Sequence, residues 1–264
     1  MEAIDSIKSN YIRELLNNGA REDSRGPYDF RSIMIKTGVI EHAEGSAQVD
    51  LGATKVLAGV KLADGAPMAD TPDQGTISMS AELLPLASAD YEMGPPSPQS
   101  IELARVVDRG IRAGNCVALE DLILGEGKCW NVFVDIYILN YDGNLFDASE
   151  LAAMAALMTT KVPKYEDEKV IREERVKDIK LNNIVTSSTF AKIGGHLVLD
   201  MNRNEENAAD ARLTIASDGN VVRAMQKGLN GGITVNEIDE MLDVAFKKHG
   251  ELKSHLEKAT NRSL

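Results

Sequence analysis

The sequence has no apolar segment long enough to cross a membrane. Its longest apolar run, LAAMAALM at residues 151–158, falls far short of the roughly 20 residues that a membrane-spanning helix needs. The N-terminal stretch MEAIDSIKSNYIRELL is amphipathic and acidic, and it lacks the basic stretch and continuous apolar run of a secretory signal. We therefore expect neither a membrane anchor nor secretion.

Cysteine is scarce as well. The chain contains two, Cys116 and Cys129, and their separation does not match a metal-ligand spacing. Nothing indicates a fold held together by disulfides, so we expect reduced thiols in a cytoplasmic protein.

The chain has fewer positive than negative side chains: 29 Lys and Arg against 41 Asp and Glu, which gives a net charge of −12. Such a chain repels polyanions overall, so any nucleic-acid binding must come from a local basic cluster. Its 264 residues, 43% hydrophobic and 27% charged, suffice for one large globular domain or two modest ones.

The sequence pattern of the first half of the chain predicts strands followed by helices. SAQVDLGATKVLAGVKL breaks at Gly52, which predicts a hairpin. SIELARVVDRGIRAG predicts a helix N-capped by Ser100, and DASELAAMAALMTT predicts one N-capped by Asp147 or Ser149. Before these elements, residues 3–18 predict an amphipathic helix. Its apolar face is expected to hold Ile4, Ile7, Tyr11, Ile12 and Leu15.

The second half repeats this order. GGHLVLD and ARLTIAS predict strands, and SDGN predicts a hairpin turn. Thr234 and Glu237 fit a capping box for a final helix to about Leu256. Strands followed by a helix, twice over, predict an α+β chain of two similar layers. The charged residues 162–180 between the halves fit either a crossing segment or an ordinary solvated surface.

Three arginines of the predicted helix at residues 100–114 are candidates for RNA binding. Arg105, Arg109 and Arg112 follow i, i+4, i+7 spacing and line one face, and guanidinium groups suit phosphate oxygens. The alternative is a solvated face with local ion pairs, such as Arg105 with Asp108 or Glu102. We expect Arg109 and Arg112 to be the stronger contacts, because Arg105 has these acids nearby.

Several motifs resemble the RNase PH family. REDSRGPYDFRSI is similar to the family's arginine-rich opening, and QVDLGATKVLAGVK to its G-x-T-x-V strand pair. IELARVVDRGIRAG resembles its E-x-x-R-x-x-x-R-x-x-R helix, and SSTFAKIGGHLVLD its C-terminal half. The opening contributes Arg21, Arg25 and Arg31, which by themselves indicate only a turn with scattered charge.

The resemblance implies an RNase PH-like fold of two sheet-and-helix layers and a hexameric ring around an RNA channel. It divides the chain into an N-terminal helix (1–20), a first domain (21–165), a charged connection (166–182) and a second domain (183–258). Active relatives cleave the 3′ end of RNA with inorganic phosphate. They need cations to hold the phosphate and an acid to protonate the leaving oxygen.

This chain departs from the active pattern at both places. Phe146, within YDGNLFDA, stands at about the position of the family's phosphate-clamping arginine. DMNRNEENAAD, residues 200–210, keeps Asp200 and Asp210 but has Glu206 where an inner aspartate is expected, and its connection is shorter by about two residues. We interpret this stretch as the remnant of a catalytic hairpin and expect no catalytic residue and no metal ligand in the chain.

Both departures resemble the non-catalytic ring-subunit branch of the family, found in the archaeal exosome. The resemblance implies a catalytic RNase PH-like partner in a trimer of heterodimers, RNA-binding cap subunits and single-stranded RNA as ligand. Phosphate and magnesium would be used by the assembled complex, with no cofactor bound by this chain alone. The competing hypothesis is a phosphorolytic 3′-to-5′ exoribonuclease active in its own right.

Overall fold

The computed structural model describes residues 2–125 and 127–264, with the side chains of residues 2–5 outside the described part. In these residues the fold is α+β, as predicted, with two larger, mainly antiparallel sheets, a two-stranded sheet, and helices packed against the larger sheets. The elements of the first half are α1 (Glu2–Asn17), β1 (Ile33–Thr37), β2 (Gly45–Leu51), β3 (Thr54–Gly65), β4 (Thr76–Leu83), α2 (Pro98–Ala113), β5 (Ile123–Gly125), β6 (Lys128–Asn140) and α3 (Leu145–Met158). Those that follow are β7 (Lys161–Glu166), β8 (Lys169–Asp178), β9 (Thr186–Ile193), β10 (His196–Leu199), α4 (Arg203–Ala208), β11 (Ala211–Ser217), β12 (Val222–Gly228) and α5 (Val235–Thr260).

The first sheet has the strand order β1-β2-β3-β6-β4, with β5 paired to β6. Every neighbouring pair is antiparallel except β4 and β6. The predicted hairpin at Gly52 joins β2 to β3, and this glycine has a φ of +58°, a value that residues with a side chain rarely adopt. The second sheet has the order β10-β9-β11-β12.

Helix α3 lies at the centre of the molecule, against β2 and β3 of the first sheet and β9 of the second. All its residues from Phe146 to Met158 are buried, which accounts for its nearly uniform apolar sequence. Its N-cap is Asn144, in the left-handed region, rather than the predicted Asp147 or Ser149. Asp147 lies in the first turn of the helix, and its backbone N–H donates to the side chain of Asn144, which occupies the capping position.

Helix α2 is N-capped by Ser97, three residues before the predicted Ser100. Pro98 fits the first helical turn because a proline has no N–H to leave unpaired there. The capping box of Thr234 and Glu237 is confirmed at the start of α5, although this helix continues to Thr260.

The predicted apolar face of α1 is wrong in detail. In α1 the buried residues are Ile12 and Leu16, whereas Ile7 is 68% exposed and Tyr11 52% exposed; the side chain of Ile4 lies outside the described residues. The helix therefore uses a narrower apolar face than the sequence pattern indicates. The predicted charged connection at residues 166–182 contains β8, which pairs with β7 in a hairpin and is mostly exposed.

Candidate nucleic-acid interface and family site

The acid-rich stretch at residues 200–210 is not a simple hairpin connection, because it contains helix α4. Asp200, which comes shortly before it, is fully buried. Its carboxylate accepts hydrogen bonds from Nε and Nη2 of Arg31 at 3.0 and 2.8 Å, and from Nη1 of Arg25 at 3.1 Å. The Nδ2 of Asn144 donates to it at 2.7 Å. These donors occupy the carboxylate, so its role is to hold three segments of the chain together.

Glu205 makes a second buried ion pair, with Arg21. The two side chains are 1% and 2% exposed, and Nε and Nη2 of the arginine donate at 2.8 and 2.7 Å. Glu205 also completes a capping box with Asn202 at the start of α4. The prediction that the N-terminal arginines form a turn with scattered charge is therefore wrong: Arg21, Arg25 and Arg31 tie the start of the first half to the second half.

The two remaining acids of the stretch are engaged as well. Asp210 pairs with Arg13 of α1 at 2.7 Å, and this hydrogen bond lowers the pKa of the carboxyl. Glu206 accepts the backbone N–H of Asn144 at 3.1 Å and lies 4.0 Å from Arg212. Burial raises the pKa of Glu206, with Arg212 acting in the opposite direction. Each of the four acids thus has a partner within the chain.

Phe146 lies in the first turn of α3 and is 6% exposed. The guanidinium carbon of Arg212 lies 4.3 Å from the centre of its ring, in a cation–π contact. Arg212 in turn pairs with Glu102 of α2 at 2.8 Å. Phenylalanine at this position therefore packs against an arginine and offers no hydrogen-bond donor to a phosphate.

A cavity of about 520 Å³ opens beside Phe146. Its wall includes Tyr91 and Tyr141, whose rings are tilted by 31° with centres 5.6 Å apart. It also includes Arg203, whose guanidinium lies 5.3 Å from the ring centre of Tyr141. Acidic groups line it too, including Glu102 and Glu206, so the cavity is not a purely cationic anion site.

Two buried acids in α3 are features that the sequence reasoning missed. Burial raises the pKa of Asp147 to about 7 and that of Glu150 to about 8. Asp147 accepts the backbone N–H and hydroxyl of Thr189, and Glu150 accepts the hydroxyl of Ser187. The sequence did contain a signal for their burial, because the two acids lie three residues apart in an otherwise apolar helix.

The arginine stripe on α2, formed by Arg105, Arg109 and Arg112, has members with different partners. Arg112 donates to Asp108 at 2.7 Å and to the carbonyl of Ile77 in β4 at 2.8 Å. Arg109 donates to the side chain of Gln226 in β12. Arg105 makes no ion pair or hydrogen bond with any described residue.

The local ion pairs considered for Arg105 are therefore not formed. Asp108 binds Arg112, and Glu102 binds Arg212 of β11. The reason given for ranking Arg105 below the other two arginines is wrong, because both acids are directed to other arginines. The ranking of the three as RNA contacts stays a prediction.

Within residues 2–125 and 127–264, no group of three or more His, Cys, Asp or Glu side chains could hold a metal ion. In the same part of the chain, no helix is both long enough and apolar enough to span a bilayer.

Comparison with known families matches both halves. The 3′ exoribonuclease family, domain 1, matches residues 29–163, and domain 2 of the same family matches residues 183–248. The chain belongs to the RNase PH family of 3′ exoribonucleases. The predicted resemblance is thereby confirmed.

Several curated proteins are similar to this chain over nearly its whole length. The exosome complex component Rrp42 of Thermococcus gammatolerans is 45% identical over 262 residues, which cover 97% of this chain and 96% of the relative. Its counterpart of the same name in Methanothermobacter thermautotrophicus is 43% identical over 264 residues, which cover 98% of this chain and 97% of the relative.

Solved structures agree with the predicted RNase PH-like fold. A chain of the Archaeoglobus fulgidus exosome with RNA bound to the active site superimposes with a TM-score of 0.89 at 44% identity, covering 96% of this chain and 98% of that chain. A chain of an archaeal exosome core gives 0.86 at 42% identity, covering 98% of each. Rice Rrp46, at 16% identity and a TM-score of 0.70, covering 91% of this chain and 100% of that one, shares the fold.

Proposed function

We propose that this chain is a non-catalytic structural and RNA-binding subunit of an exosome ring. The observation that carries the proposal is the buried Phe146 with Arg212 packed on its ring, at the position where the family pattern has a phosphate-clamping arginine. The four acids of residues 200–210 support it, because each is paired inside the chain. The relatives named as exosome components support the ring assignment.

In this ring the chain alternates with a catalytic RNase PH-like subunit, as a trimer of heterodimers, and RNA-binding cap subunits complete the assembly. The catalytic subunit uses phosphate and magnesium to shorten RNA from its 3′ end. This chain positions that subunit and contributes part of the RNA path. Its own carboxylates are held by arginines and backbone N–H groups, so the magnesium is assigned to the partner.

The contribution to the RNA path comes from α2. Arg105 has no partner among the described residues, while Arg109 and Arg112 are held in place by Gln226 and Asp108. Three cations along one face can follow a phosphate backbone without reading its sequence. The distribution of partners favours Arg105 as the most available phosphate contact, ahead of Arg112.

Assembly with the catalytic subunit of the same organism tests the ring assignment. Native mass spectrometry of the mixture is expected to show a complex of three copies of each chain. If this chain forms only homo-oligomers in the presence of that subunit, the ring assignment is wrong.

RNA binding is tested in the assembled ring with Arg105→Ala and Arg109→Ala, separately and together. We expect the affinity for single-stranded RNA to fall, and the slope of log affinity against log salt to become shallower by about 0.7 for each phosphate that an arginine no longer neutralises. Lys8→Ala, an exposed substitution in α1, serves as the control. Unchanged affinity of the double variant at moderate salt would remove α2 from the RNA path.

A further inference from the structure

A cavity of about 360 Å³ lies between β4 and α2, directly under the arginine stripe. Its size is within the range of about 300 to 1,000 Å³ that is usual for small-molecule sites. Its apolar lining includes Met68, Met79 and Ala104, and Arg105, Arg109 and Arg112 lie at its rim. The cavity thus combines an apolar surface with a cationic rim.

The rim is partly rigid and partly adaptable. Arg112 reaches from α2 to the carbonyl of Ile77 on β4, and Asp108 holds the same guanidinium through two hydrogen bonds. This arginine forms a fixed wall of the cavity. Arg105, which has no partner among the described residues, can turn toward a ligand at the opening.

The apolar surface suits a flat aromatic ligand. Met68 is 56% exposed, and Met79 is half-buried on the same side of the helix. Thioether side chains are flexible and polarisable and make favourable contacts with aromatic rings. Ala104 contributes only a methyl group, which leaves the space above the strand open.

Polar groups that could read the edge of a base are few. The carboxylate of Asp108 is occupied by Arg112, and the hydroxyl of Thr76 donates to Asn131. Ser78 is exposed and makes no hydrogen bond with the described residues through its side chain. A ring bound here would be held by its faces, with little discrimination between bases.

We propose that this cavity takes a single nucleobase of the RNA whose phosphates contact Arg105 and Arg109. The inference rests on the proposed function, because it places the base beside the same RNA path. It adds a contact that the arginine stripe alone does not provide: each nucleotide passing the helix is held through its phosphate and, transiently, through its base.

Methyl NMR of the assembled ring, in which this chain alone carries ¹³C-methyl methionine, tests this placement. Oligo(A) is added at saturation, which is established by a parallel affinity measurement, and inorganic polyphosphate is the probe without a base. We expect the ring current of adenine to shift the methyl resonances of Met68 and Met79, whereas polyphosphate leaves them nearly unchanged. Met93, which is 83% exposed and does not line the cavity, is the internal control.

A filling substitution provides a second test. Ala104→Leu places extra carbon atoms in the cavity without altering an arginine, and Ala113→Leu is the matched control at an exposed position of the same helix. We expect Ala104→Leu to weaken oligo(A) binding by roughly three- to tenfold while polyphosphate binding is retained. Ala113→Leu is expected to leave both unchanged.

The outcomes separate this inference from the proposed function. If Arg105→Ala weakens oligo(A) binding but the methionine methyl groups stay unshifted and Ala104→Leu has no effect, the base site is wrong and the RNA path remains. If oligo(A) does not bind, or binds independently of the arginines, the RNA path fails and the base site fails with it.

Discussion

The carboxylate of Asp200 is surrounded by donors from Arg25, Arg31 and Asn144 and has no exposed surface. In an active site, a general acid needs access to the leaving group of the substrate. Here the same position holds the N-terminal segment and the start of α3 against the second sheet. A family motif can therefore persist at this residue because the fold requires it.

Asp200→Asn is expected to lower the free energy of unfolding by about 3 kcal/mol or more, because the buried Arg31 loses its closest carboxylate and keeps only Asp142, at 3.4 Å. Arg25, which is less buried, keeps its pair with Asp23. Asp210→Asn is the matched control. Its pair with Arg13 has side chains 40% and 36% exposed, so we expect a loss below about 1 kcal/mol. Urea unfolding measures both, and equal losses would contradict a structural role for Asp200.

Glu150 brings an ionisable group into the centre of the molecule. One carboxyl oxygen accepts from Ser187, and the other has no hydrogen-bond partner among the described residues. Burial raises the pKa of this carboxyl to about 8 from an ordinary value of 4.5. Between pH 4.5 and pH 8, the folded chain therefore retains a proton on Glu150 that the unfolded chain has already released.

The sign of the pH effect follows from this difference. A raised carboxyl pKa stabilises the folded state fully at low pH, and that stabilisation is lost as the pH rises toward 8. Between pH 6.5 and 8.5 we expect the free energy of unfolding to fall by about 1 to 2 kcal/mol. Glu150→Gln should remove the larger part of this slope in urea unfolding, and the part that remains toward lower pH belongs to Asp147, whose pKa burial raises to about 7. A wild-type slope that persists in full in the variant would assign the effect to another group.

At the level of elements, α2 and α3 approach closely at Gly110. A Cβ atom on this glycine would lie 2.5 Å from Oε1 of Glu150, which is closer than such atoms come in proteins. The helix that carries the arginine stripe thus depends on a residue without a side chain. In α5, by contrast, a Cβ on Gly250 would meet no atom within 4 Å.

Two alanine substitutions should therefore have opposite effects. Gly110→Ala is expected to lower the free energy of unfolding by about 1 to 3 kcal/mol through overpacking, despite the better helix propensity of alanine. Gly250→Ala should raise it by up to about 1 kcal/mol. Thermal and urea unfolding of the two variants provide the comparison. If Gly110→Ala stabilises the protein, the close approach of Glu150 does not exclude a side chain at this position of α2.

Elements with a strong local pattern could be predicted from the sequence. The amphipathic stripe of α2, the capping box of α5 and the β2–β3 hairpin at Gly52 all depend on residues close in the chain. The β8 strand could not, because KVIREERVKD is almost entirely exposed and lacks the alternation of a half-buried strand. Helix α4, only six residues long, is too short to show a helical period in the sequence.

In the candidate site, too, features that depend on nearby residues could be predicted, and contacts between distant residues could not. The position of Phe146 could be predicted from a local motif, and so could the spacing of the three stripe arginines. The ion pairs of Arg21 with Glu205 and of Arg31 with Asp200 join residues more than 160 positions apart, so no local pattern could indicate them. The partners of the stripe arginines could not be predicted either, since they include residues of β4 and β12.

Across the whole molecule, the two sheets are joined by α3 and by the network of N-terminal arginines. This arrangement makes Asp200 and Glu205 links between the halves. It leaves the arginine-bearing face of α2 as the surface that we assign to RNA. In the proposed ring, this chain supports RNA degradation through its shape and its cations and leaves the chemistry to its partner.

Phosphate-dependent release of ADP from poly(A), in the presence of magnesium, tests the non-catalytic assignment most directly. We expect the purified chain to release none, and its addition to the catalytic RNase PH-like subunit to increase the activity of that subunit. Glu206→Gln, a substitution within the cavity beside Phe146, is the control for contaminating nuclease. ADP release by the chain alone that disappears in Glu206→Gln would contradict the assignment and establish the chain as a phosphorolytic exoribonuclease in its own right.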